Sequence, residues 1–283
     1  SLQIVKIGEK RIVKDSYVTP AEKRLNNSFE ANEWDVEVKN ADGATIIITF
    51  HLSDNGVAFR YAFNEESTEE KTIEKENTSF RFPSTAKAWL HPHDDVKNCW
   101  AQTCPSYEDN YITDIAVGTP APKKAGWSFT ALFQSADTWI LITEAGLEPP
   151  YCGTRLAQDS PNGEYYIEFP QKGETVKSTD PVTPISTLPL KSPWRVIVLG
   201  ELNDIVETSM ITDLSAPSKV ANAEFVKPGI ASWSWGVEKD PSVNYDRQKE
   251  YIDYASKMTW EYTLVDALWD TVIGYDKIQE LID

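Results

Sequence analysis

From Trp34 to Phe63 the chain alternates three β-type runs with two turn dipeptides. The runs are Trp34-Asp35-Val36-Glu37-Val38, Ala44 to Leu52 and Val57 to Phe63, and Asp42-Gly43 and Asn55-Gly56 stand between them. Asp-Gly and Asn-Gly tolerate the positive φ of tight hairpin turns, so the segment reads as an antiparallel meander. Trp127 to Phe133, Thr138 to Thr143, Tyr165 to Phe169 and Trp194 to Leu199 continue as short strands separated by Pro, Gly, Ser or Asp clusters. The expectation is an all-β unit running to about residue 215 and built as two packed sheets.

After Pro217 the period changes. Gly229 to Trp235 is a short apolar strand, Asn244 or Asp246 stands ready to cap a helix, and Tyr251, Ile252, Ala255 and Met258 fall at helical spacing. Tyr262-Thr263-Leu264-Val265-Asp266 is β-rich again, and Asp276 to Leu281 returns to a helical pattern. Strand, helix, strand predicts a βαβ unit with parallel strands and a right-handed crossover. Such a unit must be covered on both faces, so it reads as the opening of a (β/α)8 barrel. The predicted organisation is a sandwich over 1–216 and an incomplete barrel over 217–283.

Composition narrows the partners. Of 283 residues, 44 are Asp or Glu against 27 Lys or Arg, a formal charge of −17. That charge repels phosphate backbones and anionic lipid surfaces, so no nucleic-acid partner is expected. No membrane insertion is expected either, because no apolar run reaches about 18 residues. The 10 Trp and 12 Tyr supply flat faces of the kind that stack on sugar rings. Cys99, Cys104 and Cys152 are too few for a disulfide framework, and Cys99 with Cys104 is the expected pair in an oxidising compartment. The chain opens at Ser1 without a basic-then-apolar leader, the pattern of a removed export signal or a trimmed start.

Ligands of barrels and open α/β sheets bind at the carboxyl ends of strands, which selects Trp233, Trp235, Asp266 and Trp269 as one rim. Trp235 is a candidate sugar platform, with a core indole as the alternative. Asp266 is a candidate binding group, with a buried acid bonded to neighbouring backbone amides as the alternative. Glu144 closes the strand Trp139 to Thr143, where a carboxylate emerging at the loop suits a hard cation such as calcium. Calcium takes about six to eight oxygens, so one carboxylate makes at most part of a site, and a solvated strand end is the alternative. His91-Pro92-His93-Asp94-Asp95 resembles a metal motif, but zinc needs three or four convergent ligands and the chain holds only 3 His. Nucleophile motifs and Gly-rich phosphate loops do not occur.

Several strings, in order, resemble glycoside hydrolase family 97. They are Asp54-Asn55-Gly56-Val57-Ala58-Phe59-Arg60-Tyr61, Thr143-Glu144-Ala145-Gly146-Leu147, Ser192-Pro193-Trp194-Arg195-Val196-Ile197, the stretch Lys227-Pro228-Gly229 through Trp235, and Tyr262 to Asp266. The resemblance implies a mainly β fold, a β-super-sandwich followed by a catalytic (β/α)8 barrel that acts on α-glucosides or α-galactosides with calcium bound. Inverting and retaining members use two carboxylates whose separation decides what attacks the anomeric carbon. Both lie later in the barrel, so no catalytic residue is expected within 1–283, and the family's first sandwich strands have no counterpart before Ser1. By resemblance Glu144 is the calcium ligand contributed by the sandwich, and Trp233 and Trp235 lie on the first barrel strand beside the substrate pocket. Gly236 stands where the family often carries a second Trp. The implied partner is an α-linked oligosaccharide or glycoside, and the implied location periplasmic or secreted. The competing readings are a non-catalytic carbohydrate-binding or interaction β-sandwich module and a purely structural scaffold.

Overall fold

A computed structural model describes residues 2–19, 23–96, 109–175, 177 and 179–283. The chain forms two compact units, Ser1–Val18 with Asn26–Ser218 and Thr19–Leu25 with Lys219–Asp283. The expected Cys99–Cys104 pair lies outside the described residues.

Among the described residues the first unit contains fourteen strands. They are β1 (Gln3–Ile7), β2 (Arg11–Val18), β3 (Asn26–Lys39), β4 (Thr45–Ser53), β5 (Gly56–Thr72), β6 (Ser79–Arg81) and β7 (Lys87–Pro92), then β8 (Ile112–Ala116), β9 (Trp127–Ser135), β10 (Thr138–Ala145), β11 (Arg155–Leu156), β12 (Glu164–Glu168), β13 (Ile185–Lys191) and β14 (Trp194–Gly200). Hydrogen bonds run continuously along β1-β3-β4-β5-β14-β10-β9-β11-β12-β6, with β2 on β3, β13 on β5, and β7 between β8 and β9. The expected pair of separate sheets is therefore one sheet that folds back on itself. Phe80, Leu156, Tyr165 and Ile167 from one end share a core with Ile142, Phe59 and Ile197 from the middle. At its centre Phe82 stacks on Phe133 at 3.8 Å and 13°, and Tyr165 meets Phe133 edge-on at 5.1 Å. Such aromatic pairs add to the burial energy of each ring.

The meander forms as the turn chemistry dictates. Gly43 adopts φ +88, and the Asn40 side chain accepts from the amides of Asp42 and Ala44. Gly56 has a different reason: its φ is not positive, and a Cβ there would sit 2.1 Å from the Ile197 carbonyl oxygen. The glycine lets β5 approach β14.

The first unit is not all β. Helices α1 (Leu202–Glu207) and α2 (Met210–Asp213) follow β14, and Ile205 and Met210 join Ala58, Ala145, Trp194, Val196 and Val198 in a second core. At six and four residues they are too short for a helical period to stand out. Strands β1, β2, β6, β7, β8, β11 and β13 also escaped the sequence reading, being short, exposed or rich in charge.

In the second unit β15 (Ala231–Trp233) and β16 (Tyr262–Leu264) pair in parallel, Ala231 opposite Tyr262 and Trp233 opposite Leu264. Between them come α3 (Trp235–Glu238) and α4 (Tyr245–Lys257), and after them α5 (Trp269–Val272) and α6 (Tyr275–Ile282). Asn244 caps α4 by accepting from the Arg247 amide at 3.0 Å, and α4 packs against both strands. The predicted strand to Trp235 stops at Trp233, because the Ser234 carbonyl turns into α3 and accepts from the Val237 and Glu238 amides. Among the described residues no helix is long and apolar enough to cross a membrane.

Candidate functional site

Glu144 is the second-last residue of β10, and the antiparallel register sets it directly opposite Arg195 on β14. Arg195 interrupts the apolar run of β14 and is fully buried. A buried guanidinium needs compensation, and two carboxylates supply it. Arg195 Nε and Nη2 donate to Glu76 Oε1 and Oε2 at 2.8 and 2.5 Å, while Nη1 donates to Glu144 Oε2 at 2.6 Å and to Thr154 Oγ1 at 3.2 Å. The Tyr151 hydroxyl donates to Glu76 Oε2 at 3.0 Å. Burial works against the charge on Glu76, yet the Arg195 bonds outweigh it and hold the carboxyl below the usual range. Burial, with the Glu76 charge behind it, pushes the Tyr151 phenol well above its ordinary value. Both groups keep fixed protonation states at neutral pH.

Thr154 completes the clamp. Its amide donates to Glu144 Oε1 at 3.0 Å and its hydroxyl to Oε2 at 2.8 Å. The solvated strand end is thus ruled out: the Glu144 side chain is 15% exposed and bonded on both oxygens. The reason is the strand partner, which a single-strand reading does not see.

Glu144 lines a cleft of about 480 Å³ together with His91, His93, Thr154, Arg155 and Glu174. Arg155 Nη1 donates to both oxygens of Glu174 at 2.8 Å and to His93 Nε2 at 3.3 Å, and His93 Nδ1 lies 2.9 Å from Ser128 Oγ. Burial first, and then the Arg155 charge, push His93 down to about 4, so it is neutral at pH 7. His91 Nε2 takes the Asp109 amide at 3.1 Å. Neither histidine is arranged for zinc, and among the described residues no three His, Cys, Asp or Glu side chains converge as a metal cage. Burial pushes the nearby Cys152 thiol up to about 11, which removes it as a nucleophile.

For calcium the fit extends to one ligand. Glu144 Oε1 carries a single hydrogen bond to the Thr154 amide at a clear distance, and an added Cβ at Gly153 would come within 3.4 Å of that oxygen. A hard anionic oxygen with one open edge suits calcium, and the remaining oxygens would have to come from elsewhere.

A second cleft of the sandwich, about 540 Å³, lies over Trp194, whose ring carries the Arg60 guanidinium at 4.2 Å. His51 Nδ1 meets Glu33 Oε1 there at 3.1 Å.

In the second unit three of the four rim residues meet. The indoles of Trp233 and Trp235 stack at 5.5 Å and 19°, Trp233 Nε1 donates to Asp266 Oδ2 at 2.7 Å, and Trp235 Nε1 donates to Asp240 Oδ1 at 2.6 Å. Asp266 Oδ1 accepts from the Ala267 amide at 2.7 Å, and the acid is partly exposed rather than buried. A Cβ on Gly236 would lie 3.2 Å from the Trp233 ring, so the glycine makes room for that indole. Trp269 packs edge-on against Tyr275 instead, 5.2 Å between centroids.

Glu76, Tyr151, Thr154, Arg155 and Glu174 were not singled out from the sequence. Arg195 carried a readable signal, a charge inside an apolar strand, and so implied a buried acid without saying which.

The folded-back antiparallel sheet defines a β-sandwich, followed along the chain by a parallel strand-helix-strand unit. The chain belongs to glycoside hydrolase family 97, since residues 2–217 match the family model described as Glycosyl-hydrolase 97 N-terminal. A probable retaining alpha-galactosidase of Streptomyces bingchenggensis is 28% identical over 267 residues, covering 92% of this chain and 37% of that protein. The crystal structure of a beta-arabinopyranosidase superposes with a TM-score of 0.89 at 34% identity, covering 99% of this chain and 45% of that one. A family 97 enzyme from Pseudoalteromonas sp. strain K8, solved with acarbose, shares the fold at 24% identity with a TM-score of 0.73, covering 96% of this chain and 41% of that one. The chain spans less than half the length of each of these relatives.

Proposed function

We propose that this chain serves an exo-acting α-glycoside hydrolase as its sandwich and first barrel elements, with galacto-configured α-glycosides or α-linked oligosaccharides as substrates and α-glucosides as the neighbouring class. The observation that carries this reading is the family match over residues 2–217, joined to relatives whose names specify alpha-galactosidase and beta-arabinopyranosidase. L-arabinopyranose has the ring stereochemistry of galactopyranose without its exocyclic carbon, so these two names point to one sugar shape. The word retaining in the Streptomyces relative's name favours two carboxylates about 5 to 5.5 Å apart, one acting as nucleophile. The resemblance puts both outside 1–283, so the residues described here bind and orient rather than break the bond.

Within that reading Glu144 gives one oxygen to calcium, and Trp233, Trp235 and Asp266 lie against the sugar, with Trp269 beside them. Calcium supplies a fixed positive charge to the site. Thr154 and Arg195 keep the carboxylate turned so that Oε1 is the oxygen with an open edge. Export to the periplasm or medium goes with the reading, since oligosaccharides are met there, and cell fractionation tests it. For the activity, nitrophenyl α-galactoside, β-L-arabinopyranoside and α-glucoside are assayed with calcium, using the protein with its complete barrel and residues 1–283 alone. The expected result is turnover of the first two by the complete protein and a blank rate for 1–283. Turnover by 1–283 that vanishes on mutating one of its own acids refutes the assignment.

A further inference from the structure

Arg195 serves its two acids unequally. Glu76 takes Nε and Nη2, a full two-pronged pair that by itself satisfies the guanidinium charge, and Tyr151 adds a third bond to Glu76. Glu144 receives only Nη1. The trio of Glu76, Arg195 and Glu144 therefore keeps one net negative charge, although Arg195 and Glu76 are buried and Glu144 nearly so. Across the same cleft Arg155 and Glu174 cancel each other. The hydrogen bonds to Glu144 satisfy its oxygens but leave the net negative charge of the trio in a partly closed cleft, where a cation would offset it. A purely structural pair would need Glu76 and Arg195 alone.

We infer that Glu76 is a positioning residue for the cation site: it cancels the Arg195 charge, so that Arg195 orients Glu144 without repelling a cation from it. Arg195 Nη1 and the Thr154 hydroxyl occupy Oε2, and the open edge of Oε1 beside Gly153 is what remains. Glu144 then binds through one oxygen. This rests on the reading of Glu144 as a calcium ligand and goes beyond it by giving Glu76, which lies 68 positions away in sequence from Glu144 (144 − 76), a role in cation affinity.

The test is calcium titration calorimetry on the protein with its complete barrel, with thermal unfolding as the folding control. Glu76→Gln keeps size and leaves the Arg195 charge to Glu144 alone, and the expected result is calcium affinity weakened about tenfold or more. Glu76→Gln/Arg195→Met removes both charges at similar volume, and affinity should return to within about threefold of the parent. A folded Glu76→Gln with parent affinity, or a folded double variant no better than Glu76→Gln, overturns the inference. Should Glu76→Gln fail to fold, Glu76→Asp draws the carboxylate back from Arg195, with about threefold weakening expected and parent affinity overturning the inference. Glu144→Gln separates the two levels: parent calcium affinity in that variant removes the reading of Glu144 itself, and the role of Glu76 falls with it.

Discussion

Arg195 stands directly across the β10–β14 ladder from Glu144, its Nη1 2.6 Å from Glu144 Oε2. The pair is a cross-strand neighbour relation, yet its energetics are those of the interior, because Arg195 has no solvent to fall back on. Deleting one member of a buried charge pair leaves the other unpaired and costs about 3 to 5 kcal/mol. Arg195→Ala strands Glu76 as well as Glu144, so urea unfolding should show a loss at the upper end of that range. Lys14→Ala, which breaks the exposed pair with Glu30, should leave the midpoint where it was. Equal losses from the two substitutions would mean that Arg195 reaches water and the triad is not buried.

That triad also marks where sequence reading stops. The meander, the parallel βαβ unit and the helix near 246–258 were legible because each rests on local periodicity or turn chemistry. The sheet's fold-back was not, since it depends on which distant strands pair, and no residue within β6 or β12 names its partner. Glu144 was legible as an acid at a strand end. Its surroundings were not: Glu76 follows a run of exposed charges and carries no pattern of its own, and Thr154 lies in a loop. The strand-end rule selects Trp233 and Asp266, which meet in the structure, whereas Trp269 begins a helical turn that takes its ring to Tyr275.

The fold-back makes a stability prediction at Phe133. Its ring is fully buried, stacked on Phe82 at 3.8 Å and capped by Tyr165. Phe133→Ala removes the contacts of β9 to Tyr165 of β12 and to Phe82 beside β6, the strands at the folded-back end of the sheet, and leaves a cavity between them. A loss of about 3 to 5 kcal/mol is expected by chemical denaturation. Phe133→Leu, which keeps most of the volume, should lose less than half of that. A small loss from the alanine variant would show that the core collapses freely and that the fold-back of the β12–β6 end does not depend on this ring.

His93 gives the sandwich a pH dependence of definite sign. Burial, then Arg155 and His91, hold its folded value at about 4 against 6.5 for a free imidazole, with Asp94 and Asp95 pulling the other way. The unfolded chain therefore binds the proton more readily between those values, and stability falls as the pH drops from about 6.5 toward 4. The gap corresponds to about 3 kcal/mol. His93→Gln keeps an acceptor for Arg155 and cannot titrate, so its stability curve should be flatter than the parent's by that amount across the window. Parallel curves for parent and variant would place the acid sensitivity in the carboxylates instead.

Asp266 and Trp233, two of the four rim residues selected from the sequence, form a contact that a binding measurement can separate into parts. Asp266 accepts through both oxygens, Oδ2 from the Trp233 indole and Oδ1 from the Ala267 amide. Asparagine has one accepting oxygen, so Asp266→Asn can serve only one of those donors and removes the charge that strengthens the bond to the indole. Trp233→Phe keeps a ring against Trp235 and removes the indole N–H. If the bond to Asp266 is what holds the Trp233 ring in place for a sugar, either substitution frees it. A hydrogen bond to a charged group contributes about 1.5 to 3 kcal/mol when well shielded and less at this half-exposed position. In the protein with its complete barrel, each variant should weaken binding of a galacto-configured inhibitor about three- to tenfold. The double variant should be no worse than the weaker single, because the same interaction is lost only once. Effects that instead multiply, each variant contributing its full factor in the double, would show that Asp266 and Trp233 meet the ligand separately and that the indole–carboxylate bond has no part in holding the ring.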